Sequence, residues 1–557
     1  MNVIIPTSRI PSCFVRSLLG LSLLGLLGSC RPTAAQEAAA PPMELAQKAS
    51  APLAEAPAIL DLAPSASEAV LWTANLMQGV NEARAFLDGV LLAAGLPLPT
   101  RTWGLQQGAA PGASADMFFE IFAPEMADRV GLDFERGMLL FLGGQQTSVG
   151  VLGVTHPEAL NRFLVEMVAP QFGAAPQPTR QAHGDHTLFE LALPQASTTL
   201  WWSFVQRADA QYVMASLEPL PKGLVGALDA LDDAGSTAAP LLREQAAFIG
   251  AQQQLGTQLA AGSGSWNLFV PPTADAGGVL ARLHLDHQGT ELTAFIPGRV
   301  PSSSLGRLAD RQSTLASSLR LAQHEPADAA LLSLSHAELW TALDVLRQQS
   351  AEIEKLLPPV YVAQFQPLLA AISTLKPVGR LHASMRRGEQ DDWVSELTAE
   401  ANRPDSSRAS IEERFAQLTW HRSQLEDVSV PTRLSEAHAG PMSLGAASQP
   451  GKFVFAAPAT AIWDRLSRPA RAEDNSLTRH SYSLGRLLEG EDLANVAEVL
   501  VLRLDRLLPE ADRFDRSTGM CLTPGQILQA ALPHLGDVVL VLRLQPSGLH
   551  LHLANLH

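Results

Sequence analysis

Residues 199–216 read TLWWSFVQRADAQYVMAS. Two apolar runs, Thr199 to Val205 and Gln211 to Ser216, flank the polar turn Arg207-Ala208-Asp209-Ala210. Apolar runs joined by turn residues are the signature of an antiparallel hairpin. Trp201 and Trp202 are neighbours, so on a strand they face opposite sides of the sheet. One is expected to be core, and the other either packs under a helix or marks a partner surface; core on both sides is the favoured expectation.

The same grammar recurs along the chain. Gly137 to Leu142 turns at Gly143-Gly144-Gln145-Gln146 and returns as Ser148 to Val154. Val279 to Leu285 and Thr290 to Ile296 flank Asp286-His287-Gln288-Gly289. Arg380 to Met385 and Trp393 to Thr398 flank Arg386-Arg387-Gly388-Glu389. Val538 to Leu544 and Leu549 to Leu553 flank Gln545-Pro546-Ser547-Gly548. Between the strands lie helix starts. Thr155-His156-Pro157-Glu158 has the form of a capping box before Leu160, Phe163, Leu164 and Met167. Ser335-His336-Ala337-Glu338 and Ser410-Ile411-Glu412-Glu413 open two more, and Thr523-Pro524-Gly525-Gln526 places Pro at a first helical position.

A loose repeat runs through this pattern. Pro64-Ser65-Ala66-Ser67-Glu68-Ala69-Val70-Leu71 matches Pro326-Ala327-Asp328-Ala329-Ala330-Leu331-Leu332, and a third copy is expected from Lys452-Phe453-Val454-Phe455. Gly followed by an acid precedes a strand at Gly131-Leu132-Asp133 and at Gly536-Asp537. The fold class that follows is α+β: duplicated modules of antiparallel sheet with helices packed on one face. Sheets fed by hairpins do not make a doubly wound nucleotide-binding fold. The expected modules are 59–300, 301–405 and 406–557.

Composition limits the partners. The 557 residues are 46% hydrophobic and 17% charged, with a net charge of -16. That balance supports packed cores and excludes a disordered chain. It also argues against nucleic acid, whose binders need a basic face, and against a broad electrostatic grip on anionic lipid.

The first thirty residues have the three parts of a secretory signal. Arg9 and Arg16 precede the apolar run Leu18 to Leu27, which is too short to span a bilayer. Leu27-Gly28-Ser29-Cys30 follows. These four residues resemble the lipobox of bacterial lipoproteins. The resemblance implies cleavage between Ser29 and Cys30, leaving 1–29 as a signal peptide, and lipid on the Cys30 thiol. Arg31 rather than Asp after the cysteine implies, by that family's sorting pattern, the outer membrane on its periplasmic side. The alternative is an ordinary signal cut near Ala34-Ala35. Residues 30–58 are rich in Ala, Pro and Glu and read as a tether. With Cys13 removed and Cys30 lipidated, Cys521 is left alone, so no intramolecular disulfide is expected in the mature protein. The module-opening phrase also resembles that of uncharacterised multi-module exported bacterial proteins, which open each module with a Pro-Ala-Asp-Ala-like phrase before a strand. That resemblance implies no activity.

Candidate ligand clusters each have a plainer reading. His183-Gly184-Asp185-His186 could supply a zinc site, but Gly and Asp are also ordinary turn formers. His284, Asp286 and His287 sit at a strand end. His550 and His552 share a face of the last strand, and His557 ends the sequence. A zinc site needs three or four ligands with support behind them. No Gly-x-Ser-x-Gly, His-Glu-x-x-His, Walker loop or Cys-x-x-Cys is present, and no cofactor is expected. The leading expectation is a non-enzymatic envelope lipoprotein. It would be held to the membrane by its lipid and would present its modules to an envelope protein partner. The alternatives are a periplasmic carrier of a lipid or other apolar ligand, and a metal-dependent hydrolase using one His cluster.

Overall fold

The computed structural model describes residues 58–93 and, with breaks, 127–556; the longest stretches outside that description are 1–57, 94–126, 298–328, 334–366, 468–495 and 505–535. The lipobox-like segment, Cys521, His287, His557 and the helix starts at Ser335 and Thr523 therefore lie outside the described residues. The chain forms two compact units, one of residues up to His287 with Leu292–Pro297, the other of Gln288–Glu291 and the residues from Gly298 on.

The first unit holds β1 (Ala69–Thr73), β2 (Leu132–Gly143), β3 (Thr147–Val154), β4 (Thr179–His183), β5 (His186–Leu193), β6 (Thr198–Arg207), β7 (Ala210–Glu218), β8 (Trp266–Val270), β9 (Val279–Asp286) and, of β10 (Gly289–Pro297), the part from Leu292 on. Its helices are α1 (Leu76–Ala93), α2 (Pro157–Val168), α3 (Lys222–Ala234) and α4 (Ala246–Leu255). The second unit holds β11 (Ala329–Ser333), β12 (Leu381–Arg387), β13 (Trp393–Glu400), β14 (Trp420–Leu425), β15 (Thr432–Ala439), β16 (Met442–Gln449), β17 (Lys452–Ala457), β18 (Val496–Arg503), β19 (Asp537–Gln545) and β20 (Gly548–Leu556). Its described helices are α5 (Pro404–Arg414) and α6 (Ala461–Ser467).

The pairings reveal a duplication. The first sheet runs β4-β5-β6-β7-β3-β2-β1-β8-β9, antiparallel at every step, with β10 beside β9. The second runs β14-β15-β16-β17-β13-β12-β11-β18-β19-β20, also antiparallel throughout. Adding ten to each label of the first order gives the second. The helices obey the same correspondence: α2 and α5 follow the third strand of their copy, while α3 and α6 follow the seventh. The backbone matches in detail as well. Gly278 (φ 75°) precedes β9 and Gly536 (φ 68°) precedes β19, its counterpart. A Cβ at Gly278 would sit 2.8 Å from the Pro272 nitrogen, so both the space and the left-handed conformation demand glycine there.

The repeat phrases noticed in the sequence end in β1 and β11, the first strand of each copy. Lys452-Phe453-Val454-Phe455, expected to start a third copy, forms β17, the seventh strand of the second. The boundary expected at 405/406 falls inside α5. The helix expected from Ser410 begins earlier, at Pro404, where the proline ring presets the first helical φ. Phe415, expected on that helix, is its C-cap, its N–H donating to the Ile411 carbonyl at 3.0 Å. The helix expected near Thr155 starts at Pro157. The N–H groups of Thr155 and His156 both donate to the Gly131 carbonyl.

The α+β class of antiparallel sheet and packed helices is as the sequence indicates, but the helices cover two faces. In the first unit, Leu76 and Val80 of α1 and Leu160 of α2 join Phe189, Trp202 and Val213 in one apolar cluster. Leu224 and Leu228 of α3 and Phe248 of α4 join Trp72, Trp201 and Met214 in another. The alternation of strand side chains makes these two faces of one sheet. In the second unit, Ile411 of α5 lies in one cluster and Ile462 of α6 in the other. The adjacent tryptophans are core on both sides, 4% exposed at Trp201 and 0% at Trp202.

The copies fill equivalent space differently. Beneath α2, β6 supplies the bulk with Trp202, while β7 offers Val213 and Ala215. Beneath α5, β16 offers Leu444 and Ala446, and β17 supplies Phe453 and Phe455. Total volume is conserved more tightly than residue identity in a packed core, which hides a duplication from sequence inspection.

A polar network ties α5 to its sheet. Buried Glu412 accepts hydrogen bonds from Arg408 Nη1 (2.6 Å), from Ser435 Oγ (2.6 Å) and from Arg422 Nε (3.0 Å) and Nη2. Burial alone would raise the Glu412 pKa. The hydrogen bonds from Arg422 and Ser435, with the charges of Arg408 and Arg422, reverse that and hold it below the usual carboxylate value. Its contribution to stability is therefore complete above the ordinary carboxylate range and is lost as pH falls through the depressed folded value. Glu412→Gln is expected to destabilise the protein by about 1–3 kcal/mol at neutral pH. It should also flatten the acid limb of a stability–pH curve measured by urea unfolding.

Candidate functional site

The first His cluster sits at the tip of the β4–β5 hairpin. Gly184 there adopts φ 54°, so the turn reading of Gly184-Asp185 describes its backbone. The two imidazoles do not converge on a common centre. His183 Nε2 lies 2.7 Å from Asp229 Oδ1, and His186 Nε2 lies 3.1 Å from Asp232 Oδ1. Both aspartates belong to α3. One helical turn sets the spacing of Asp229 and Asp232, and the hairpin turn sets that of His183 and His186, so the two pairs stand side by side.

His284 lies in β9, which ends at Asp286. Its Nδ1 is 3.3 Å from Ser265 Oγ and 3.8 Å from Glu82 Oε2. The trio has the residue types of a hydrolytic triad but not its wiring. A triad needs the hydroxyl on one ring nitrogen and the carboxylate on the other, whereas here both address Nδ1. Glu82 stands on α1, where its Oε1 accepts from Gln78 Nε2 at 2.7 Å. It also borders a depression of about 390 Å³ lined by Asn75, Gln78, Asn81 and Glu135. The depression begins at the N-terminus of α1, where Asn75 Oδ1 caps the Gln78 N–H at 2.8 Å.

His550 and His552 lie on β20, opposite Arg543 and Val541 of β19. His550 is held below the usual imidazole pKa, mainly by burial and then by the facing Arg543 guanidinium. Among the described residues, no group of three or more His, Cys, Asp or Glu side chains is placed to hold a metal ion.

Sequence reasoning missed Asp229, Asp232, Glu82 and also Glu291, whose Oε1 lies 2.6 Å from His552 Nε2, carboxylates that meet the histidines. The spacing of Asp229 and Asp232 on an amphipathic helix matches that of His183 and His186, but nothing local announces a contact across 46 positions. No protein-family model, curated protein or solved structure matches this chain.

Proposed function

We propose that this chain is a lipid-anchored protein of the bacterial cell envelope with a non-enzymatic role, presenting two copies of one sheet-and-helix module for binding or scaffolding. The observation that carries the reading is the duplication itself: one ten-strand order, with matching helices, built twice. Duplicated modules provide two related surfaces on one chain, and a tether of residues 30–58 would set their reach from an anchor at Cys30. No helix among the described residues is long and apolar enough to cross a membrane. The lipid at Cys30 would supply attachment, with the body on the periplasmic side of the outer membrane. The histidines support this reading over hydrolysis, because they meet carboxylates in pairs or through a single ring nitrogen.

Chemical crosslinking in intact envelopes tests the proposal. The tagged chain is expected to capture the same envelope protein in repeated experiments, and to lose it when either module's surface is replaced by charge-reversed residues. Failure to recover any reproducible partner would overturn the binding role.

A further inference from the structure

Strand β2 interrupts its own ladder. Asp133 faces Gly153 of β3 and Met138 faces Leu152, so Phe134, Glu135, Arg136 and Gly137 are inserted where β3 has no residue to match. Bulges re-aim side chains and gather beside functional sites. The neighbours of Glu135 hold this one in place. Phe134 is buried with Leu76 and Val80 of α1. Arg136 Nε donates to Asp133 Oδ2 at 2.6 Å. Gly137 takes φ 80°, and a Cβ there would collide with the Thr73 carbonyl oxygen. Glu135 itself is exposed and borders the depression of about 390 Å³ beside α1. Asn75, Gln78, Asn81 and Glu82 line the α1 side. The Glu82 carboxylate is fixed from two directions. Its Oε1 accepts from Gln78 Nε2 at 2.7 Å, and its Oε2 is buried against Gly264, where a Cβ would collide with it. Among the described residues Oε2 accepts no hydrogen bond, with His284 Nδ1 3.8 Å away. A buried acceptor in that state calls for a reason other than stability.

We propose that this depression binds a saccharide, whose hydroxyls donate to Glu82 and Glu135 and accept from the carboxamide N–H groups of Asn75 and Asn81. The volume is that of a small-molecule cleft, about 300–1,000 Å³. Its polar lining consists of carboxylates, which only accept, and carboxamides, which also donate. A hydroxyl is donor and acceptor at once, so it answers both kinds. An ammonium only donates and would leave the carboxamide N–H groups without acceptors. An anion would meet two carboxylates. Met77 and Ala85 add apolar surface for the C–H face of a sugar ring. The site goes beyond the scaffolding role and does not depend on it, since it is complete within the first unit.

Calorimetric titration of the full chain, held in a detergent without a sugar headgroup, tests the site. The probes are cellobiose, maltose and N,N′-diacetylchitobiose, with spermidine as the cationic probe. Saturable binding of at least one disaccharide is expected, and none of spermidine at the same concentration. Glu135 and Asn81 are both exposed, so the variants E135Q and N81A are expected to fold. E135Q replaces a charged acceptor and should weaken disaccharide binding about tenfold. N81A removes a neutral donor and should weaken it about fivefold. No saturable binding of any of these disaccharides, binding that both variants leave unchanged, or tighter binding of spermidine would overturn the saccharide site.

Discussion

Trp202→Ala is expected to lower the stability of the protein by about 3–5 kcal/mol, the range for truncating a large buried aromatic side chain. Trp202 is fully buried beneath α2. Its ring stacks on Phe189 with centroids 5.4 Å apart and planes 9° from parallel, and Phe189 meets Phe204 edge-on at 5.7 Å. Its indole N–H donates to Asn161 Oδ1 at 2.7 Å, which fastens α2 to the sheet. Truncation removes the stack, opens a cavity and strands the Asn161 carbonyl. A folded domain has only about 5–15 kcal/mol in hand, so the loss is a large part of the whole. Trp202→Phe separates the contributions. It keeps a ring against Phe189 and should cost roughly 1–2 kcal/mol, chiefly for the lost hydrogen bond. Urea unfolding followed by circular dichroism measures both. A loss below about 1 kcal/mol for the alanine variant would mean that the α2 face is not a packed core.

Much of the fold was legible because hairpins are local. Arg207-Ala208-Asp209-Ala210 between two apolar runs specifies β6 and β7 without reference to anything distant. The burial of both adjacent tryptophans, preferred from the sequence, is met by helices on two faces, which the sequence reading of helices on one face did not anticipate. The strand order was not legible. β3 pairs with β7, and β1 with β8, across intervals in which the sequence offers no pairing code. The second copy was misread for a related reason. Lys452-Phe453-Val454-Phe455 is so apolar that it resembles a module's first strand, yet it is buried because β13 and β16 flank it. In the other copy the bulk at this layer sits on β6, so the two seventh strands look unrelated. The candidate sites followed the same rule. The His pairs at the β4–β5 tip were visible as residues, while their carboxylates on α3 arrive only through tertiary packing.

The second large effect concerns the proposed anchor. Cys30→Ser is expected to abolish incorporation of labelled palmitate completely and to leave a precursor that retains residues 1–29. A hydroxyl is a far weaker nucleophile than a thiolate, so it does not accept the diacylglyceryl group. Each buried methylene contributes about 0.8 kcal/mol to membrane attachment, so losing two or three chains removes the whole hold. Cys521→Ser, by contrast, should leave the label untouched. The intact mass of the chain purified from membranes is the most direct test of a lipid-anchored role. A polypeptide beginning at Cys30 and carrying the added mass of a diacylglyceryl group and an acyl chain is the predicted result. An unmodified chain beginning beyond Cys30, near Ala35, would contradict it.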